Sequence, residues 1–306
     1  KGTAGNPGAG EMNSRADDDA LIRAMPLVFV LIWSTGFIVA RYGMPHAPPM
    51  KFLALRYALS ILCFLPWIYL ARVKWPSSRN QWLHLSVTGV LMHAGYLGGV
   101  WAAVKAGMGS GLSSLIVGLQ PVLTAVWLSA TGNQHHVTRR QWAGLLLGFA
   151  GLVLVVSGKF GQGAEADWLN LSFAVLALLS ITTGTLYQKR HVTPCDVRSA
   201  NAVQLLAALV VTLPLSLLET ETMHWNAELA GAMAWSVLAL TLGGSSLLYL
   251  LIQRGAATAV TSLLYLVPPT TALMAWLLFA EPITLTTLVG TAVTVLGVGL
   301  VVRAAR

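Results

Sequence analysis

Gly107–Pro121, with the sequence GMGSGLSSLIVGLQP, has a counterpart later in the chain at Gly255–Pro269, with the sequence GAATAVTSLLYLVPP. Each stretch is apolar, begins with glycine and ends with proline, and the two lie 148 residues apart. Ser114 and Ser262 occupy the same position in the two copies. The shared spacing indicates that the chain contains two copies of one structural unit.

The same spacing extends to both sides of this stretch. It pairs Gly36 with Gly184, Thr35 with Thr183, and Pro66 with Pro214. After the fourth apolar stretch the spacing becomes 146, and it then pairs Gly144 with Gly290 and Gly151 with Gly297. One connecting loop therefore differs in length between the two halves.

The composition predicts that most of the chain lies in a lipid bilayer. Hydrophobic residues make up 56% of the 306 residues and charged residues only 10%, against about 25% charged in soluble domains. Apolar stretches of about 17 to 25 residues cross hydrocarbon as helices, because a helix satisfies its own backbone groups. The sequence predicts an all-α membrane protein with ten spans, near residues 25–44, 50–70, 82–104, 111–131, 141–157, 168–188, 200–218, 233–252, 258–279 and 284–302.

Five spans in each half require the second half to enter the membrane from the opposite side, so the two five-helix repeats are inverted. The loops support this topology. Most Lys and Arg residues outside the spans lie on one side, and the other side holds only Arg41, Lys51, Lys105 and Lys159. By the positive-inside rule we expect a multi-pass protein of a bacterial-type inner membrane with both termini in the cytoplasm.

Four segments are expected along the chain. Residues 1–24 form a polar N-terminal tail, and residues 1–11 are interpreted as a non-native leader because Met12 follows them. The other segments are the first five-helix repeat at 25–158, an external linker at 159–167 and the second five-helix repeat at 168–303.

Several functional classes are not indicated. The net charge of +8 does not point to nucleic acid, because the Lys and Arg residues form short clusters between apolar runs. Cys63 and Cys195 are too few for a disulfide framework or a metal cluster. The chain has no HExxH, CxxC or phosphate-loop motif, so an enzyme, a metal and a cofactor are not predicted. The expected partners are the lipid bilayer and a small-molecule substrate.

These features resemble the EamA-type branch of the drug/metabolite transporter (DMT) superfamily, which has ten helices in two inverted halves. The resemblance covers the chain from Met25 to Val302. It rests on the WSTG stretch Trp33–Gly36, Arg56, Gly107–Pro121, Gly255–Pro269, the FAEP stretch Phe279–Pro282, Gly290 and Gly297. The first half departs from the pattern at Asn133, where the family usually has an acid equivalent to Glu281.

The resemblance implies a substrate cavity between the halves that opens alternately to each side. It also implies that the first, third, fourth, sixth, eighth and ninth helices line the cavity and that the fifth and tenth are peripheral. Members of the family mostly export amino acids or related metabolites, and some import small nutrients. Amino-acid or metabolite export is therefore the leading hypothesis. Uptake of a nutrient or organic cation is the alternative, and a non-transporting membrane protein or membrane enzyme is the third.

Polar side chains inside the spans are candidates for substrate binding, because they are unfavourable in hydrocarbon. Arg56, near the start of the second span, either binds a substrate carboxylate or extends its charge to the nearby interface. Its repeat mate is Gln204. His93, near the middle of the third span, shares a helix face with Tyr96. The imidazole either carries a coupling proton or binds substrate, or it bonds a neighbouring helix as a neutral ring.

Prolines interrupt the fourth and ninth spans at corresponding positions. Gln120 precedes Pro121, and Pro268 and Pro269 follow Tyr265. Because each proline removes an intrahelical hydrogen bond, these breaks are predicted to bind substrate or act as hinges, or else to be packing kinks.

Aromatic side chains supply the apolar part of the predicted site. Trp33, Tyr96, Tyr249 and Tyr265 lie on helices that the resemblance implicates, and they either line the cavity or pack in the core. Trp82 and Trp168, at the ends of spans, are predicted to lie at the membrane interface.

Small residues repeat along one face of the fifth and tenth spans. These residues are Gly144, Gly148 and Gly151 in the fifth and Gly290, Thr294 and Gly297 in the tenth. This spacing allows close helix contact, so the faces either pack within each half or form a homodimer interface through helices 5 and 10.

The interiors of the predicted spans contain no Asp or Glu. The related small multidrug resistance pumps carry a membrane-embedded carboxylate that exchanges protons for cations, so that mechanism is not expected here. Coupling is predicted to run through His93 or the charge of the substrate, or to be absent.

Overall fold

The computed structural model describes residues 28–131, 138–159, 166–247 and 266–304. The predicted N-terminal tail lies outside these residues, as do Tyr249 and Tyr265. Helices make up most of the described chain, and we number them in chain order. They are α1 (Val28–Gly43), α2 (Pro49–Leu70), α3 (Arg79–Lys105), α4 (Ser110–Val117 and Gln120–Ala130), α5 (Arg139–Lys159), α6 (Trp168–His191), α7 (Val197–Leu218), α8 (Ala227–Trp235 and Ser236–Ser245), α9 (Val267–Phe279) and α10 (Leu285–Ala304).

These helices confirm the predicted all-α membrane fold. Within the described residues, the seven helices α2 to α8 are long and apolar enough to cross a membrane, and α1, α9 and α10 are shorter apolar helices. The predicted starts of the first and ninth spans, at residues 25 and 258, lie outside the described residues. Each predicted span thus corresponds to one helix.

Polar caps determine where several helices begin. Ser78 accepts a hydrogen bond from the backbone N–H of Gln81 at 3.1 Å, so α3 begins three residues before its predicted start at 82. Asp167 and Asn170 form a reciprocal capping box at the start of α6. Asn226 caps α8 in the same way that Ser78 caps α3. These side chains satisfy backbone donors that a helix leaves free at its N-terminus.

The helices of the two halves pack in antiparallel pairs. The pairs are α1 with α8, α2 with α7, α3 with α6, α4 with α9 and α5 with α10. In the second pair, Lys51 at the start of α2 contacts Glu219 after the end of α7, and Trp67 near the end of α2 contacts Arg198 at the start of α7. A two-fold axis that exchanges inverted halves produces this set of pairs.

Loops at the two ends of the helices carry different charges. We call one end the acidic face, because its loops and the helix turns beside them carry Glu219, Glu221, Glu228 and Glu281. We call the other end the basic face, because it carries Arg72, Lys74, Arg79, Lys189 and Arg190. The sides of the helices carry large exposed apolar residues such as Leu146, Phe149 and Leu296, as expected for surfaces in contact with lipid.

The small-residue faces of α5 and α10 pack against each other. The hydroxyl of Thr294 donates to the carbonyl oxygen of Gly290 at 2.9 Å and lies 3.4 Å from that of Gly148. A Cβ atom on Gly151 would lie 2.5 Å from the carbonyl oxygen of Gly290. The interpretation as packing within each half is therefore wrong, because the faces meet across the two halves. A homodimer through other surfaces of these helices stays a prediction.

We expect Gly151→Ala to destabilise the protein, because its methyl group has to displace the backbone of α10. Overpacking of this kind costs about 1–3 kcal/mol. Gly299→Ala is the matched control, because a Cβ atom at Gly299 meets nothing within 4 Å. Thermal unfolding of the purified protein in detergent should show a lower midpoint for Gly151→Ala than for Gly299→Ala. Equal midpoints would contradict the close contact between α5 and α10.

Candidate functional site

A cavity of about 770 Å³, including the space at its mouth, lies among α1, α2, α3, α6, α7 and α8. It brings together five of the predicted site residues, namely Trp33, Arg56, His93, Tyr96 and Gln204. The described parts of α4 and α9 contribute no lining residue, although the resemblance implied that they would. They pack against each other instead, and α2 and α7 form part of the cavity wall.

The guanidinium of Arg56 is the charged group of the described cavity wall. Arg56 is only 4% exposed. Its Nε donates to the hydroxyl of Thr241 on α8 at 3.1 Å, and its Cζ lies 5.4 Å from the ring centre of Trp101 on α3. Its Nη1 has no hydrogen-bond acceptor in the described part of the chain. Arg56 therefore points into the protein rather than toward the interface, and one of its donors is left for a further partner.

His93 lies beside Arg56 in the middle of α3. The hydroxyl of Tyr57 donates to the His93 backbone carbonyl at 2.8 Å, and Gln204 on α7 lines the same cavity. The Tyr57 and His93 rings meet edge to face with their centres 5.9 Å apart. The imidazole is thus buried and lines the cavity, so both predicted roles remain compatible with its position.

Two aromatic rings form an apolar wall of the cavity. Trp33 on α1 and Tyr96 on α3 are nearly parallel, with an interplanar angle of 8° and ring centres 6.3 Å apart. Phe29 packs against Trp33 at 5.2 Å between ring centres. Trp33 and Tyr96 thus supply an apolar part of the same cavity that contains the Arg56 side chain.

Irregular helix turns lie beside the cavity in both halves. α3 has a π-helical segment at Val90–Gly95, and α8 has one at Ser236–Ser245. The repeat spacing of 148 residues relates His93 to Thr241, so the two irregular segments occupy equivalent positions. π-Helical turns are rare and are frequent at functional sites. Here one segment positions His93 and the other positions the hydroxyl that holds Arg56.

Ten lining residues were not predicted as site residues from the sequence. Those on the cavity wall that bear most on the site are Trp101, Gln188, Asn201, Leu240 and Ser245. The relation between His93 and Thr241 could have directed attention to the middle of α8. Gln188 and Asn201 gave no such signal, because polar residues near helix ends are common and carry no indication of where they point.

Gln120 lies outside the cavity wall that the structure describes. Its amide donates to the hydroxyl of Thr185 on α6 at 3.0 Å. α4 is interrupted at Gly118 and Leu119, and Pro121 lies in the first turn of the segment that follows. Pro268 and Pro269 lie in the first turn of α9, and a Cβ atom on Gly118 would lie 2.7 Å from Pro268. The hinge role of the prolines stays a prediction.

Carboxylates of the second half cap helices of the first half at the acidic face. Glu281 accepts hydrogen bonds from the backbone N–H groups of Ser110, at 3.0 Å, and Gly111, at 3.4 Å, at the start of α4. Glu219 accepts from Met50 at 2.9 Å and from Lys51 at 2.8 Å at the start of α2. A negative charge at a helix N-terminus is stabilising, because backbone donors and the helix dipole both point at it.

An ion pair and a hydrogen bond add further contacts between the halves at the same face. Lys105 lies 2.6 Å from Glu221, and the His46 ring is hydrogen-bonded to Glu228 at 2.9 Å. The backbone N–H of His224 donates to the carbonyl oxygen of His46 at 2.8 Å. Together with the two capping carboxylates, these contacts close the acidic face between the halves.

The cavity lies between the two halves, behind the contacts of the acidic face. On that side, the lining residue of α3 nearest the helix end is Trp101, four residues before the end and behind the ion pair of Lys105. On the other side, Gln188 lines the cavity three residues before the end of α6 at the basic face.

An inverted pair of five-helix bundles around a central polar cavity defines a polytopic membrane transporter. The chain belongs to the EamA-like transporter family, whose model matches residues 23–157 and again residues 168–303. The family model therefore matches each half separately, in agreement with the internal repeat.

Individual relatives are identical to the chain at about a quarter of the aligned positions. YedA of Escherichia coli K12, named as an uncharacterized inner membrane transporter, is 26% identical over 69% of this chain and 66% of its own length. A probable amino-acid metabolite efflux pump of Salmonella typhimurium is 28% identical over 62% of this chain and 60% of its own length. YvbV of Bacillus subtilis, named as an uncharacterized transporter, is 27% identical over 87% of each chain. The chain thus spans less than two thirds of the first two relatives.

A solved crystal structure has the same fold. It superimposes with a TM-score of 0.64 and covers 92% of this chain and 96% of its own, at 17% sequence identity. At that identity the likeness concerns the fold alone.

We expect Glu281→Gln to weaken the closure of the acidic face, because the amide keeps an acceptor but loses the charge at the helix N-terminus. The charge stabilises the closed helix end by about 1 kcal/mol. Its loss therefore raises the equilibrium constant for opening about fivefold. Hydrogen–deuterium exchange at Ser110 and Gly111 should accelerate by this factor. Asp196→Asn is the control, because this carboxylate binds Arg198 of its own helix at the basic face. Unchanged exchange in Glu281→Gln would contradict the capping role.

Proposed function

We propose that the protein exports amino acids or related small carboxylate metabolites across the membrane by alternating access, without converting them chemically. The observation that carries this proposal is the cavity between the halves, where the buried guanidinium of Arg56 keeps a free donor. A carboxylate is the natural partner of a guanidinium, because both are planar and can form paired hydrogen bonds. The relative from Salmonella typhimurium is named as a probable amino-acid metabolite efflux pump, which supports substrates of the same kind.

The basic face is proposed to lie in the cytoplasm of a bacterial-type inner membrane, with both termini on that side. The support is the charge distribution, because Arg72, Lys74, Lys189 and Arg190 flank the loops of that face. The substrate then enters the cavity from the cytoplasm, where metabolism produces it. Export follows from the concentration gradient, and uptake would use the same site in the opposite direction.

Release requires the contacts of the acidic face to separate. Rocking of one half against the other would withdraw Glu281 from α4 and Glu219 from α2, while the basic ends approach each other. The interruption of α4 at Gly118 and the start of α9 at Pro268 provide places where the helices can bend. Substrate binding between the halves favours the closed basic face, because Arg56 and Thr241 come from different halves.

The experiment that tests this function is counterflow in liposomes. Purified protein is reconstituted with an unlabelled panel of amino acids and carboxylate metabolites inside, and the uptake of each labelled compound is measured. We expect saturable exchange of at least one carboxylate compound.

A disulfide cross-link tests the mechanism. The variant carries His46→Cys and His224→Cys in a background with Cys63→Ser and Cys195→Ser. The new disulfide should join the halves, because the backbones of residues 46 and 224 are hydrogen-bonded.

Oxidation of this pair should stop exchange and a reductant should restore it, because the acidic face can then no longer open. The single cysteine variants are the controls and should be insensitive to oxidation. Full exchange in the oxidised double variant would exclude alternating access through this face. Absence of exchange across the whole panel, in protein that is folded, would contradict the transport function.

His93 is proposed to carry the coupling proton of the transporter. Among the described cavity residues it is the one imidazole, and it lies in the same lining as Gln204. We expect His93→Gln, which keeps a hydrogen-bonding side chain, to retain exchange but to lose acceleration by a pH gradient. His84→Gln is the control, because His84 pairs with Tyr187 near the basic face outside the cavity wall. Equal acceleration in His93→Gln and the unaltered protein would remove His93 from the coupling mechanism.

A further inference from the structure

We propose that the cavity selects small organic acids that carry a carboxylate, an apolar or aromatic body and no free ammonium group. This inference rests on the proposed transport function and narrows its substrate class from amino acids and related small carboxylate metabolites to monoanions such as 2-hydroxy acids and N-acyl amino acids. It follows from the charges and the hydrogen-bond donors that line the cavity.

The cavity has a cation and no anion to balance it. Arg56 is the ionised side chain of the described wall, and His93 is the one other group there that can gain positive charge. None of the ten predicted spans contains Asp or Glu, including the parts outside the described residues. A buried charge without a partner is strongly unfavourable, so the substrate itself has to supply the negative charge.

The nearest acid along the chain is already occupied. Asp196 precedes α7, five residues before the lining residue Asn201. Its two carboxylate oxygens accept from Nε of Arg198 at 2.9 Å and from Nη2 at 2.7 Å. The hydrogen bonds from Arg198 lower the pKa of Asp196 below its usual value, so this carboxylate stays ionised and paired. It is therefore not available to a cationic group in the cavity.

Three buried donors of the lining have no acceptor among the described residues. They are Nη1 of Arg56, Nε1 of Trp101 and Nδ2 of Asn201. The three side chains are 4%, 1% and 5% exposed, respectively. Buried polar groups are normally hydrogen-bonded, and a carboxylate offers several lone pairs to such donors. The unsatisfied groups of the cavity thus call for a ligand that accepts hydrogen bonds.

An ammonium group would find poor partners in the same place. The described lining offers it only neutral acceptors, such as the oxygens of Gln188, Gln204 and Ser245, and no carboxylate. A zwitterion bound through its carboxylate would place its ammonium group close to the Arg56 guanidinium, where like charges repel. It would also lose its hydration without gaining an anion. The hydroxyl group of a 2-hydroxy acid has neither disadvantage.

The apolar wall suits the body of such an acid. Trp33 and Tyr96 present parallel rings, and the ring of Trp101 lies under the guanidinium of Arg56. A phenyl or branched alkyl group can lie against these rings while its carboxylate meets Arg56. Phenyllactate and phenylalanine therefore form a matched pair of probes, because they differ only in a hydroxyl group in place of an ammonium group.

The test measures counterflow of L-3-phenyllactate, N-acetyl-L-phenylalanine and L-phenylalanine in liposomes that contain the full chain. We expect exchange of the two monoanions to be at least tenfold more efficient than that of phenylalanine. If phenylalanine exchanges as well as phenyllactate or better, the inference is wrong and the transport function stands. If no compound of these or of the wider metabolite panel exchanges, the transport function and the inference both fail.

Two variants connect the selectivity to the cavity. Trp101→Phe removes one donor and keeps a ring under Arg56, so we expect it to reduce phenyllactate exchange several-fold while the protein stays folded. Arg56→Gln should abolish the preference for monoanions over 3-phenylpropane-1,2-diol, the neutral analogue of phenyllactate. Arg79→Gln, an exposed charge change at the basic face, is the control and should leave the preference unchanged. A preference that survives in both cavity variants would overturn the inference.

Discussion

The charge of Arg56 is the central physical constraint on this molecule. It lies in a part of the chain that hydrocarbon surrounds, where an isolated ion is strongly unfavourable. The protein compensates it only in part, through the hydroxyl of Thr241 and the ring face of Trp101. Because Arg56 and Thr241 belong to opposite halves, the same contact that stabilises the charge also joins the halves at the cavity.

The two π-helical segments follow from this requirement. The hydroxyl of Thr241 donates to the carbonyl oxygen of Ser236, five residues earlier, which is the spacing of a π-helix. Its lone pairs then face the guanidinium of Arg56. In α3 the carbonyl of His93, within the equivalent segment, accepts from the hydroxyl of Tyr57, the residue after Arg56. α2 is therefore anchored through neighbouring residues to irregular turns on both sides of the cavity.

The sequence predicted the architecture well because hydrocarbon imposes simple rules. Spans had to be helical, an odd number in each half had to invert the second half, and the glycine faces of α5 and α10 had to approach another helix. The details of the site depended on tertiary contacts that no spacing reports. The sequence predicted Gln120 as a cavity residue beside Pro121. In the structure, α4 is interrupted at Gly118 and Leu119, and the Gln120 amide donates to Thr185 instead.

The irregular turns were beyond prediction for a related reason. Val90–Gly95 has an ordinary helical composition, and its π-helical form is stabilised by neighbours such as Tyr57 rather than by its own residues. By contrast, Arg56, His93 and Gln204 were predicted as site residues because a polar group in a span is conspicuous. The structure brings these three together with Trp33 and Tyr96 around one cavity.

The departure of the two halves from symmetry explains which face is closed. The repeat spacing relates Glu281 to Asn133, Glu219 to Ala71 and Glu228 to Asn80. These three carboxylates therefore have no acidic equivalent in the first half. The first half cannot reproduce the helix-capping contacts of Glu281 and Glu219 with a negative charge at the basic face. A fully symmetric pair of halves would close either face with equal ease. The acids of the second half therefore favour closure at the acidic face. A ligand that bridges Arg56 and the other donors of the cavity can supply an interaction between the halves that does not depend on these carboxylates, which would couple substrate binding to the change of access.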